Sequence, residues 1–197
     1  MAITNGYATL AEVKAVLRLT DSTDDTLLEN TIEGASRRID GYCGTFFYQT
    51  AAVVNLYPYN EYRISFPDAG TITYIKTDND GDGVFETTWT VNTDYQLEPL
   101  DHALQDRPYR RATAIGSKTF PIMQLRKAPG VQISATWGWP SIPDDVREAC
   151  ILLSIRGFAR YNAALGVIGF NDMAIQVRAI DPDVRDLLSP YRKLGVA

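Results

Sequence analysis

The chain has 197 residues, enough for one large domain or a small domain carrying an insertion, and its ordinary mix of apolar and charged residues excludes a disordered, collagen-like or low-complexity polymer. Its 19 Lys and Arg against 24 Asp and Glu leave a net charge of -5, so the chain as a whole lacks the basic footprint of a nucleic-acid binder and any basic patch is local. Cys43 and Cys150 lie in apolar helical contexts without a CxxC partner or a neighbouring histidine, which predicts buried thiols rather than metal ligands. The opening residues have neither a basic nor an apolar leader region, and no uncharged helical run approaches the ~20 residues that span a bilayer, so the expectation is a soluble chain made in the cytoplasm with no membrane partner.

In chain order, Thr9 and Glu12 stand at capping-box spacing ahead of Leu10, Val13, Val16 and Leu17, which share one helix face. An acidic turn with Asp21, Asp24 and Asp25 opens a second helix, in which Leu28, Ile32, Ala35, Ile39 and Tyr42 recur at spacings of three and four and Gly44 supplies the stop. From about residue 46 to 139 the period becomes two. Strands are predicted at Val53 to Tyr57, Thr71 to Thr77, Val84 to Val91, Tyr95 to Leu97, Ile122 to Leu125 and Val131 to Trp137, with Phe66-Pro67-Asp68 among the turns. The helical period returns at Pro143 with an uncharged centre from Ala149 to Ile155, read as a helix apolar on every side. A glycine-punctuated arm from Gly166 to Ala179 then leads to a last short helix, capped by Asp181, with Val184, Leu187, Leu188 and Tyr191 on one stripe.

The predicted fold is therefore α+β: a helical bundle, made of an N-terminal helical hairpin and a long apolar C-terminal helix, with a small inserted antiparallel β unit and an extended C-terminal arm ending in a short helix. The corresponding segments are residues 1–45, 46–139, 140–165 and 166–197.

Three features bear on chemistry. Asp78, Asp80, Asp82 and Glu86 occupy positions one, three, five and nine of a DxDxDG loop, a spacing that lets carboxylates converge on a hard cation such as calcium. The same residues also make an ordinary hairpin tip, since Asp-Gly pairs favour the turn on backbone grounds alone. Trp89 stands where an EF-hand has its bidentate glutamate, and no helices flank the loop. Second, the only histidine, His102, has no nucleophile motif beside it, and no P-loop, GxGxxG after a strand or HExxH occurs, so no catalytic residue is assigned. Third, charge is segregated: residues 78–101 hold seven acids and no base, whereas residues 102–127 hold six bases (Arg107, Arg110, Arg111, Lys118, Arg126, Lys127) and one acid. Phosphate contact, pairing between neighbouring copies and plain solvated loops are all readings of that pattern.

The layout resembles the head-tail connector (adaptor, or head-completion) proteins of tailed bacteriophages. The resemblance rests on Tyr7 to Lys14 with Asp25 to Leu28 and Ile39 to Gly44, on the run Trp137 to Ala149, and on Asp181 to Tyr191. It implies a non-enzymatic virion protein at the head-tail interface, assembled in the host cytoplasm. It further implies a ring of copies of the chain, usually twelve-fold, between the portal and a stopper or tail protein, with double-stranded DNA passing through the lumen unread. The arm and last helix, with Asp181, Val184, Leu187, Leu188 and Tyr191, would then contact the portal. Arg107, Arg110, Arg111 and Lys118 would serve subunit or DNA contacts. An acidic segment, either 78–101 or the turn at Asp21 to Asp25, is expected at the lumen, because a basic lining would grip DNA that has to slide. No cofactor is implied beyond the calcium loop, and a calcium-dependent β binding module with helical decoration is the competing function.

Overall fold

The computed structural model describes residues 3–122, 128–162, 169–170, 173–174 and 182–193. The chain divides into two compact units, residues 1–47 with 142–197, and residues 48–141.

The first unit is helical. In α1 (Leu10–Leu17) the Thr9 hydroxyl accepts from the Glu12 amide at 3.2 Å while the Glu12 carboxylate accepts from the Thr9 amide at 2.7 Å, so two of the helix's orphan donors are satisfied reciprocally. In α2 (Asp25–Cys43) the residues Leu28, Ile32, Ala35, Ile39 and Cys43 form one buried stripe, and Gly44 ends the helix at φ +68°, where a side chain would be strained. Each Leu or Ile buried in this way contributes roughly 1.5–3 kcal/mol. The stripe packs on α4 (Asp144–Asn162), which also carries α5 (Pro182–Leu188) and the 3-10 turn Ser189–Tyr191 that follows it. A residue the periodicity did not mark, Tyr7, joins the N-terminal segment to this core. Its amide donates to Ser36 Oγ at 3.0 Å, its hydroxyl donates to Asp40, and the Phe47 amide donates back to that hydroxyl at 2.8 Å.

The expectation of a bundle organised on a long, all-apolar C-terminal helix is overturned. The helix α4 has 19 residues, no more than α2, and the last helix has seven. Val146, Ala149, Cys150, Leu153 and Phe158 of α4 are buried, whereas Arg147, Glu148, Arg160 and Tyr161 are exposed. The uncharged run at its centre covers only two turns, so it touches every side of the helix while a single stripe is fully buried and Ile151, Leu152 and Ile155 are half-buried. No described helix is long and apolar enough to cross a membrane. The β part is also more than a small insertion. Of the arm, the structure describes the two-residue strands β7 (Gly169–Phe170) and β8 (Met173–Ala174), which pair antiparallel; the rest, with Asp181, lies outside the described residues.

The second unit is a six-stranded antiparallel sheet in the order β1 (Thr50–Leu56), β6 (Val131–Trp137), β2 (Arg63–Thr77), β5 (Tyr109–Ala114), β4 (Tyr95–Glu98), with β3 (Thr87–Trp89) on the last residues of β2. A short α3 (His102–Gln105) lies between β4 and β5. Strand β6 alternates as period two requires, with Val131, Ile133, Ala135 and Trp137 buried. Beneath the sheet Trp89 stacks on Phe120 at a centroid distance of 4.6 Å and donates from Nε1 to Thr77 Oγ1 at 3.1 Å. Gly138 turns the chain out of β6 at φ +107°, where an added Cβ would meet the Tyr48 carbonyl oxygen at 2.0 Å.

Four strand expectations change. The segment Phe66-Pro67-Asp68, expected as a turn, runs inside the 15-residue β2, because Pro67 falls in the register shift between Ser65 and Ala69, where a missing N–H costs no ladder bond. The basic stretch 109–114, not expected as a strand, forms β5; its buried position is the single Ala112, too sparse an apolar signal for a period-two pattern. The strand expected from Val84 shortens to Thr87, since Asp82 accepts from the Val84 amide at 2.7 Å and holds residues 82–84 in the tip. Ile122 is not in a strand, and residues 123–127 lie outside the described residues.

Candidate functional site

Two charged features occupy the β unit. The first is the tip joining β2 to β3. Its four carboxylates, on Asp78, Asp80, Asp82 and Glu86, each offer an oxygen within 4.8 Å of the others. Asp78 is buried while Asp80, Asp82 and Glu86 are exposed. Asp78 Oδ1 accepts from the Gly81 amide at 2.6 Å and Oδ2 from the Gly83 amide at 2.9 Å. Burial pushes the Asp78 carboxyl up, but these amides and Asp80 outweigh it and hold the group below the usual carboxylate range. By donor type the four oxygens suit a hard cation. The backbone amides already satisfy Asp78, so the turn is closed by its own hydrogen bonds.

The second feature is an open groove of about 260 Å³ lined by Glu98, Pro99, Arg107, Pro108, Arg110 and Arg111. Strand pairing positions it: Glu98 of β4 stands opposite Arg111 of β5, and Tyr109 opposite Ala69 of β2. Arg110 Nε donates to the buried Asp68 at 2.8 Å, and Arg111 reaches Glu98 at 3.3 Å. Both guanidinium groups stay about half exposed and keep further donors free for a bidentate partner. Arg107 makes no ion pair among the described residues. Beside the groove, Leu100 and Leu104 are exposed on the loop that carries α3. Lys118 is elsewhere, 3.7 Å from Asp94. His102 donates from Nδ1 to the Arg107 carbonyl at 2.7 Å and lies against the Tyr109 ring, which gives it the work of holding this loop.

In the helical unit Val184 and Leu188 are buried and Leu187 half-buried, and Tyr191 packs edge-on against Phe47 at 5.8 Å while its hydroxyl donates to Asp145 at 3.0 Å. The apolar stripe of the last helix thus faces the unit's own core. Asp183, Arg185 and Asp186 are its outward side chains. The acidic turn at the start of α2 is partly neutralised, Lys14 Nζ lying 2.6 Å from Asp25 and 2.5 Å from the Asp21 carbonyl. Both cysteines are free and buried, and burial pushes the Cys43 thiol up to about 11. The groove was not legible as a site: its bases stood out in the sequence, but the strand register that gathers them did not.

With a capped helical hairpin, a helix returning after a long antiparallel insertion, and charged features that carry no catalytic constellation, the chain has the fold of a chain in the neck of gene transfer agent particles. It aligns with a chain in the neck of a native particle, computed with C12 symmetry, at 21% identity and TM-score 0.60, over 100% of this chain and 94% of the other. The neck of an empty particle, computed with C6 symmetry, matches at 18% and 0.59 over 100% and 95%. A chain of the native particle's virion matches at 22% and 0.58 over 100% and 95%. Residues 7–69 match the model of the phage gp6-like head-tail connector family, so the resemblance read from the sequence is borne out. No curated protein matches significantly in sequence.

Proposed function

We propose that the protein is a structural neck component of a tailed virus-like particle, a subunit of a ring that joins the DNA-filled head to the tail and continues the DNA channel. The observation that carries this reading is the likeness over the whole chain to neck chains from particles reconstructed with six-fold and twelve-fold symmetry. The connector model at residues 7–69 supports it independently. No catalytic role follows from the site residues, and the protein acts by contact alone. Copies of itself, a portal above and a stopper or tail protein below are its partners. DNA passes without being read, and the acidic turn from Asp21 to Asp25 suits a lumen that must not hold it. The portal would meet the outward residues of the last helix, Asp183, Arg185 and Asp186, because the opposite face is committed to the core.

The test is genetic and structural. Disrupting the gene in the particle's producer is expected to leave DNA-filled heads without tails, and electron cryomicroscopy of intact particles to place the chain at the vertex in a closed ring. Tailed, functional particles made without the protein would overturn the reading. For the portal contact, reversing Asp183, Arg185 and Asp186 together leaves the melting temperature unchanged and removes binding to purified portal; retained binding refutes that part alone.

A further inference from the structure

The two charged features of the β unit lie at different levels of the same strand. The arginine groove is built where β5 meets the first half of β2, around the Ala69 and Tyr109 pair. The acidic tip begins after Thr77, at the far end of β2. Eight residues of extended chain separate them, about 25 Å at ~3.3 Å per residue, several times the reach of a side chain. The ion pairs agree: the groove's arginines pair with Asp68 and Glu98, not with the tip. Opposite charges held apart on one body cannot neutralise each other within a copy, but they can between copies.

Resting on the ring reading above, we propose that the groove is the socket for the acidic tip of a neighbouring copy, with Asp82 and Glu86 entering between Arg107, Arg110 and Arg111. The tip carries four carboxylates and no base between residues 78 and 86, and the groove presents one guanidinium, on Arg107, with no ion pair among the described residues and two that are half-used. Planar guanidinium forks match carboxylates bidentately. The apolar parts correspond too: Val84 is exposed at the tip, and Leu100 and Leu104 are exposed beside the groove. Plug and socket are different surfaces, so in a ring each copy gives its tip to one neighbour and its groove to the other, a head-to-tail contact; a reciprocal two-fold dimer would instead stop a covalent ladder at two and overturn the ring contact.

The experiment uses the full chain with chelator present throughout. Asp82→Cys combined with Arg107→Cys, oxidised mildly, is expected to give a ladder of covalent multimers, whereas either single cysteine gives dimers at most; Cys43 and Cys150 are buried and do not compete. Arg107→Glu is expected to weaken self-association by about tenfold or more, and adding Asp82→Arg to restore it. If the unmodified chain multimerises by native mass spectrometry while the cysteine pair gives no ladder and Arg107→Glu assembles normally, the socket is wrong and the ring stands. A chain monomeric at every concentration, without a ladder, overturns both. Duplex DNA binding that Arg107→Glu abolishes and Asp82→Arg leaves abolished overturns the socket in favour of phosphate contact.

Discussion

The helical unit and the β unit spend their polar residues differently. In the helical unit backbone and buried polar groups are finished locally: Thr9 and Glu12 close a cap at the surface, Ser36 and Tyr7 close a buried hydrogen-bond chain, and α5 covers α4 with its apolar stripe. In the β unit strong charges are left at the surface in two separate places of opposite sign, and the edge strand β1, which carries no charge at all, is largely exposed. An uncharged exposed edge is one that monomers usually protect. The contrast teaches that the helical unit closes its caps and core within the chain and leaves scattered charges such as Asp183, Arg185 and Asp186 outward, while the sheet leaves two charged places of opposite sign and an uncharged edge open.

If so, the helical unit loses most from deletion inside it. Ile32→Ala, at a fully buried position of α2, is expected to cost about 2–5 kcal/mol by urea unfolding; a loss under about 1 kcal/mol would mean that this core is loose. The sheet is most sensitive where its backbone is strained: Gly138→Ala forces a side chain into a left-handed conformation and onto the Tyr48 carbonyl, an expected loss of about 3 kcal/mol. Removing the cap with Thr9→Ala is worth about 1 kcal/mol in the same measurement. Calcium against chelator is expected to leave the melting temperature in place, because the tip's amides already hold Asp78; a saturable upward shift would make the tip a cation site and favour the calcium-dependent binding module.

The smallest effects separate the two units by sign. Burial raises Asp40 in α2 above its ordinary 3.8, against the opposing pull of Tyr7 and Arg37. The folded state therefore binds this proton more tightly than the unfolded one, and the stability it adds is present below 3.8 and is lost as pH rises through the raised native value. Asp78 is lowered, so its contribution is present above 3.8 and is lost as pH falls through the depressed native value. Denaturation midpoints measured between about pH 2 and 6 should lose the slope above 3.8 in Asp40→Asn and the slope below 3.8 in Asp78→Asn; equal slopes in both variants would break the comparison.

Local signals decided the helices. The capping box at Thr9, the spacing from Leu28 to Ile39 and the stop at Gly44 each act within a turn or two of chain, so residues near in sequence were enough to read them. The strand β6 was legible for the same reason, its alternation being complete. What tertiary structure alone decided involved partners distant in the chain. How far Ile151, Leu152 and Ile155 of α4 are covered depends on which helices pack there; they are half-buried, beside the fully buried stripe of Val146, Ala149, Cys150 and Leu153. Pro67 belongs to a strand because a register shift receives it, and β5 exists through its neighbours β2 and β4 rather than through its own apolar pattern. The arginine groove follows from that pairing: hydrogen bonds between strands set which residues stand opposite, and that register is a property of two chain segments at once, absent from either one read alone.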